Sequence, residues 1–188
     1  MMAGPMARGA VAELTRELPH LRGVVVGVQL SSPEPLLAED LVVATLLCDT
    51  QHRVLSDEHM VFFNQLTEPA GTVEQRARSR GDDLEQVEVD LDGVPADVAR
   101  IVVVAYLNGG NARRRTLGQL REARIRLLDL ADDSEVVRSE NLAPALSTET
   151  GLVLGELYRR GAEWRFKVVG QGYADGVVGI AADHGVAL

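Results

Sequence analysis

Thiols are almost absent from this 188-residue chain: Cys48 is the only cysteine. No disulfide can form within it, and no thiolate-based zinc or iron–sulfur site can be assembled. Long apolar runs are missing as well. Gly23–Val28, Leu41–Cys48 and Ile101–Leu107 all fall far short of the roughly 20 residues that cross a bilayer. Positive charge is scarce, because 28 Asp and Glu against 19 Lys and Arg leave a net charge of −9 at pH 7. With no long basic run to follow a phosphate backbone, nucleic acid is not an expected partner. The stretch from Met1 to Glu13 contains no apolar segment of the kind a secretory signal carries. A reducing, cytoplasmic location is therefore expected. Catalytic machinery is equally thin. His52, His59 and His184 have no Cys or His at metal spacing, and no serine stands in a Gly-x-Ser-x-Gly elbow.

What the chain does have is an ordinary globular composition, 46% hydrophobic and 25% charged. A chain of this length buries roughly 70% of its unfolded surface, enough for a core without staples. One domain is expected. Its apolar residues fall in short β-branched segments, and three of these alternate with the period of a half-buried strand. Val87, Val89 and Leu91 oppose Gln86, Glu88 and Asp90; Ala123, Ile125 and Leu127 oppose Glu122, Arg124 and Arg126; Trp164, Phe166 and Val168 oppose Glu163, Arg165 and Lys167. One dry face and one wet face is the habit of antiparallel sheets. Leu41–Leu47 and Ile101–Leu107 are apolar throughout and read as central strands covered on both faces. Turn signals such as Pro69-Ala70-Gly71 and Asp92-Gly93 separate these runs. Helix signals are few: one or two turns over Pro95–Arg100, and a terminal helix over Tyr173–His184 with Gly185 as its stop. The predicted fold is all-β, an antiparallel sandwich of two packed sheets with short helices.

Gly81-Asp82-Asp83-Leu84-Glu85 is the densest carboxylate cluster, and hard cations such as Ca²⁺ take six to eight oxygens. If the strands run up and down, Asp40 opens one strand, Asn64 closes the next, and Asp82 and Asp83 open a third. All four, with Asn108, then lie at one end of the sandwich. Arg113-Arg114-Arg115 is read as an exposed loop able to hold a phosphate or an acidic partner. Gly170-Gln171-Gly172-Tyr173-Ala174-Asp175-Gly176 is read as a tight turn that lets the last helix pack closely. Glu149 and Glu156, seven residues apart, are a poor acid and base pair, and no catalytic residue is assigned. Cys48 is read as inert filling.

Ordered motifs also run along the chain. Ser56-Asp57-Glu58-His59-Met60-Val61-Phe62-Phe63-Asn64-Gln65, Gly81-Asp82-Asp83 and Val94-Pro95-Ala96-Asp97-Val98 come first. Gly118-Gln119-Leu120-Arg121, Ser147-Thr148-Glu149-Thr150, Gly155-Glu156-Leu157-Tyr158-Arg159 and Val169-Gly170-Gln171-Gly172-Tyr173 follow. In this order they resemble the TerD family of bacterial tellurium-resistance and stress-response proteins. The likeness extends over residues 9–188, the expected domain, with 1–8 as a flexible leading segment. It implies a β-sandwich without established catalytic activity that binds Ca²⁺ through acidic loops and acts in resistance to tellurite and other stress; a protein partner is expected besides. Carried over residue by residue, the metal ligands are Asp40, Asn64, Asp82 and Asp83. Three family acids are missing: Gly-Trp-Asp stands as Gln29-Leu30-Ser31, the second acid of Asp-Leu-Asp is Val42, and a later acid is replaced at Asn108-Gly109. Affinity for Ca²⁺ follows the ligand charge count, so any Ca²⁺ binding is expected to be weak. The alternative expectation is a metal-free interaction module.

Overall fold

The computed structural model describes residues 4–109 and 115–188. In chain order its strands are Val11–Ala12 (β1), Gly23–Ser31 (β2), Leu41–Cys48 (β3), Met60–Val61 (β4), Val73–Gln75 (β5), Glu85–Asp90 (β6), Arg100–Leu107 (β7), Glu122–Asp129 (β8), Glu135–Arg138 (β9), Gly151–Arg160 (β10) and Glu163–Tyr173 (β11). Its helices are Leu14–Glu17 (α1), Pro35–Asp40 (α2) and Val177–His184 (α3). One sheet has the order β1-β11-β10-β7-β3-β4 and the other β5-β6-β2-β8-β9. Every pairing between these strands is antiparallel.

Alternation explains the packing. Val87, Val89, Ala123, Ile125, Leu127, Trp164, Phe166 and Val168 all point into one core and are at most 4% exposed. Each large apolar side chain so buried contributes about 1.5–3 kcal/mol relative to exposure. The uniformly apolar β3 and β7 are covered on both faces, as their sequences require. Val43, Leu47, Ile101 and Val103 enter the core between the sheets. Val42, Leu46, Val102 and Val104 form a second cluster with Val153 and with Ile180 of α3. Neighbouring strands within each sheet alternate in direction, but successive strands along the chain do not run simply up and down: β2 and β6, and likewise β3 and β7, are antiparallel, and β4 and β5 lie in different sheets.

Three local expectations need correction. The terminal helix begins at Val177, not Tyr173, because Tyr173 still pairs with Gly151 as the end of β11. Gly176, at φ 62°, makes the turn between them, and a Cβ on Gly151 would lie 3.0 Å from the Gly176 backbone. Small residues thus let α3 sit directly on β10, and Gly185 ends it in the left-handed conformation. Pro95–Arg100 is no helix. It forms a single turn in which Val98 N–H donates to the Pro95 carbonyl at 3.0 Å, since the chain must cross from β6 to the other sheet and start β7 at Arg100. Within the leading segment, where flexibility was expected, residues 1–3 lie outside the described residues and Met6 is anchored. Met6 N–H donates to the Arg138 carbonyl, the Met6 carbonyl accepts from Glu140 N–H, both at 2.8 Å, and Gly9 N–H donates to Val168 at 2.7 Å.

Two polar devices hold the connections between sheets. Trp164 Nε1 on β11 donates across the core to the Leu91 carbonyl at 3.1 Å. Arg159 stacks 4.4 Å over its ring and donates to the carbonyls of Val94 at 2.6 Å and Val98 at 2.9 Å. The second device is Glu68, 2% exposed, whose carboxylate accepts from Ala70 N–H at 2.7 Å, Val73 N–H at 3.1 Å and both the amide and hydroxyl of Thr72. Burial alone would raise its pKa, but these donors outweigh burial and hold it below the ordinary carboxylate value. A lowered folded pKa means that the stabilisation is complete at neutral pH and is lost as pH falls through that value. Glu68→Gln should cost about 1–3 kcal/mol at pH 7. Urea titrations at falling pH should show the gap to wild type closing below the ordinary carboxylate pKa near 4.5.

Candidate functional site

One end of the sandwich gathers the acidic loops. There β2 ends at Ser31 opposite Glu122, and β3 begins at Leu41 opposite Leu107. The two sheets are laced together at this end. Ser32 Oγ donates to the Gln119 carbonyl at 2.8 Å, and Leu117 N–H donates to the Glu149 carbonyl at 2.7 Å. Asp40 closes α2 at this end, and Asp82 shares a cleft with Gln29, Ser31 and Glu122 there.

Asp83 has a different fate from its neighbour. Val24, Val26 and Val28 of β2 fill the core, so Gly27 faces outward, paired with Gln86 on one side and Arg126 on the other. The Asp83 carboxylate lies over Gly27, where an added Cβ would be 2.4 Å from its Oδ2. Its side chain is 0% exposed. Arg126 grips it as a fork, with Nε 3.0 Å from Oδ1 and Nη2 2.9 Å from Oδ2, and Gln86 Nε2 donates at 2.7 Å. Burial would lower the Arg126 pKa, but Asp83 and Glu135 outweigh it and hold the guanidinium firmly protonated. Charge-assisted, two-point contacts of this kind are among the stronger hydrogen bonds in proteins. Glu135 extends the network by pairing with Arg138 at 2.9 Å.

Asp40 is paired with Arg115 at 2.9 Å, their side chains 18% and 15% exposed. Its carbonyl accepts from Asn108 N–H at 2.7 Å. Asn64 stands in a two-residue turn closed by reciprocal 2.9 Å bonds between Phe62 and Gln65. That turn leaves β4, which pairs only with Thr45 and Leu46 of β3. Asp82 is exposed and has no ion-pair partner among the described residues. Its cleft, about 610 Å³, also contains Arg124 and Arg138. Thus Asp40 and Asp82 share one end of the molecule, Asp83 lies over the outer face of the five-stranded sheet, and Asn64 stands on the far edge of the other. Among the described residues, no three Asp, Glu, His or Cys side chains converge as a metal site would require.

The donor set fits Ca²⁺ poorly, because two of its three carboxylates already hold a guanidinium. The sites of the missing family acids agree with this. Val42 is 7% exposed in the apolar cluster beneath α3, where a carboxylate would be buried, while Gln29 and Ser31 line the Asp82 cleft. Of the basic triplet, Arg113 and Arg114 lie outside the described residues. Arg115 is an internal partner of Asp40, not the exposed group expected. The pairing that sequence reasoning missed is Arg126 with Asp83. The alternation of β8 marks Arg126 as outward-facing, but nothing local names a carboxylate 43 positions away.

The other candidate groups fall elsewhere. Glu149 accepts Ser147 N–H at 2.6 Å, and hydrogen bonds, that one foremost, lower its pKa. Glu156 lies on the outer face of the six-stranded sheet, held by Arg100 at 2.8 Å. Cys48 is fully buried. Burial foremost, then the Asp49 and Glu156 charges, push its thiol pKa up to about 12, which suppresses the thiolate. No helix among the described residues is long and apolar enough to cross a membrane.

The chain matches the TerD domain model over residues 2–184. It is 34% identical to the tellurium resistance protein TerD of Serratia marcescens, across 98% of each chain. To general stress protein 16U of Bacillus subtilis (strain 168) it is 33% identical across 96% of each. Among solved structures, a homologue of the telluride resistance protein TerD from Streptomyces coelicolor A3(2) superposes with a TM-score of 0.62 at 18% identity. The match covers 86% of this chain and 95% of that one, so the same sandwich persists at low identity. Ordered motifs, two-sheet topology and near-complete coverage agree: the chain belongs to the TerD domain family.

Proposed function

We propose that this protein is a cytoplasmic, non-enzymatic stress-response protein of the tellurium-resistance type whose acidic end works without bound metal, as a protein-interaction module. The observation that carries this reading is the pairing of Asp83 with Arg126 and of Asp40 with Arg115. Two internal cations neutralise two of the three carboxylates that a Ca²⁺ ion would otherwise hold, so neither carboxylate needs a metal to balance its charge. The relatives named for tellurium resistance and general stress support the physiological side. Calorimetric titration with Ca²⁺ at physiological salt, followed by thermal melting, tests the metal-free reading. No heat and an unchanged melting temperature up to millimolar Ca²⁺ are expected.

A second reading, weak Ca²⁺ binding among the acidic loops, is favoured by one feature. Asp82 has no ion-pair partner among the described residues, and Glu122, Gln29 and Ser31 offer further oxygens around its cleft. Under that reading the titration gives saturable heat that Asp82→Asn removes. That outcome would overturn the metal-free proposal.

A further inference from the structure

Where α3 ends, the outer face of the six-stranded sheet is left open. Val54 N–H donates to the His184 carbonyl at 2.8 Å and ties the helix end to the connection after β3. Beyond this tie lies a cleft of about 340 Å³, with Val102, Val153 and Val169 among its lining and Lys167, Asp183 and His184 at its sides. This volume is at the lower end of the range for small-molecule sites, and the lining is mixed, its three valines lying among polar and titratable side chains that also include His52, Gln171 and Tyr173.

Not every charge around the cleft is held in an ion pair among the described residues. Glu156 also lines it, but its carboxylate is held by Arg100 at 2.8 Å and is 11% exposed. Lys167 is the register partner of Glu156 on β11, yet its ammonium makes no ion pair among the described residues. Asp183 accepts the Tyr173 hydroxyl at 2.6 Å, a neutral donor, and has no cation partner among them either. Burial first, and then Asp183, raise the Tyr173 pKa, so that hydroxyl keeps its proton. One cation on β11 and one anion on α3, neither in an ion pair among the described residues, therefore share the cleft. His184 adds an acceptor. Its Nδ1 lies 2.8 Å from the Ile180 carbonyl, so Nδ1 donates there, and Nε2 is the ring nitrogen left to accept from a ligand.

Lys167 also stands out in composition. Among the 19 Lys and Arg residues it is the single lysine. A lysine presents a compact ammonium on a flexible stem, while arginine presents a flat fork suited to fixed pairs. The arginines of this chain repeatedly hold fixed carboxylates, as Arg126, Arg115 and Arg100 do. The one lysine is left over in the cleft.

We infer that this cleft binds a small zwitterion with separated charges, a short ω-amino acid or its chemical equivalent. The ligand's carboxylate meets Lys167, its ammonium meets Asp183 and His184, and its methylene spacer covers the valines. This site is separate from the acidic end and independent of whether that end binds metal. A single lysine makes the test direct, because lysine-selective ¹³C labelling gives one side-chain signal that reports Lys167 alone. Titration with 5-aminovalerate should shift that signal saturably, whereas valerate or pentylamine at equal ionic strength should bind about tenfold more weakly. By calorimetry, Lys167→Met and Asp183→Asn should each weaken 5-aminovalerate binding about five-fold, with the melting temperature unchanged. No saturable shift, an equal response to valerate alone, or wild-type affinity in both variants would overturn the assignment.

Discussion

Replacing Arg126 with Met should destabilise the fold by about 3–5 kcal/mol, the usual consequence of leaving one half of a buried ion pair uncompensated. For a domain of this size that is a fall of roughly 10 °C in melting temperature. The reason lies in the asymmetry of the pair. Arg126 keeps some contact with solvent, at 17% exposure, and a second carboxylate in Glu135 at 3.5 Å, whereas the Asp83 side chain is 0% exposed. Without the guanidinium, Asp83 retains the Gln86 amide as its nearest donor and must be protonated or expelled from its place over Gly27. Asp83→Asn should cost distinctly less, since an amide keeps the Gln86 bond and carries no charge. Denaturant unfolding of the two variants and the double variant measures the coupling. Equal losses from both single changes would mean that the pair is not the buried device described here.

Trp164→Ala should cost a comparable amount, about 3–5 kcal/mol as for other large-to-small changes in cores. The ring is 4% exposed, and its loss removes more than apolar contact. The Leu91 carbonyl loses its donor from the opposite sheet, and Arg159 loses the surface on which it stacks while holding the Val94 and Val98 carbonyls. Trp164→Phe keeps most of the ring and removes the hydrogen bond alone, so it should recover most of the loss. Far-ultraviolet circular dichroism during urea unfolding reads both variants. A loss below about 1 kcal/mol for Trp164→Ala, the level typical of a surface change, would contradict the packing described.

The fold was legible because its information is local. Alternation in β6, β8 and β11 identifies the inward residues without knowledge of their partners, and uniform apolarity in β3 and β7 announces a second covered face. The end of α3 was legible for the same reason, in Gly185. The start of that helix was not, because whether Tyr173 continues the strand depends on Gly151 lying opposite. The acidic end was legible only as composition. Asp82 and Asp83 are adjacent and chemically identical, yet one is exposed and the other is locked over Gly27. Which of them is free is decided by Arg126 on another strand. Likewise, an Arg-Arg-Arg run reads as solvated until Arg115 is found against Asp40.

The anchoring of Met6 and β1 has a consequence for biosynthesis. The strap that begins at Met6 beside β9 continues into β1, whose strand partner is β11 near the other end of the chain. During translation the earliest strand emerges with nothing to pair with, and β10 offers an unsatisfied edge until β11 is made. The six-stranded sheet is thus completed only after β11 is made, and a ribosome stalled before Glu163 releases a chain with an open, aggregation-prone β edge.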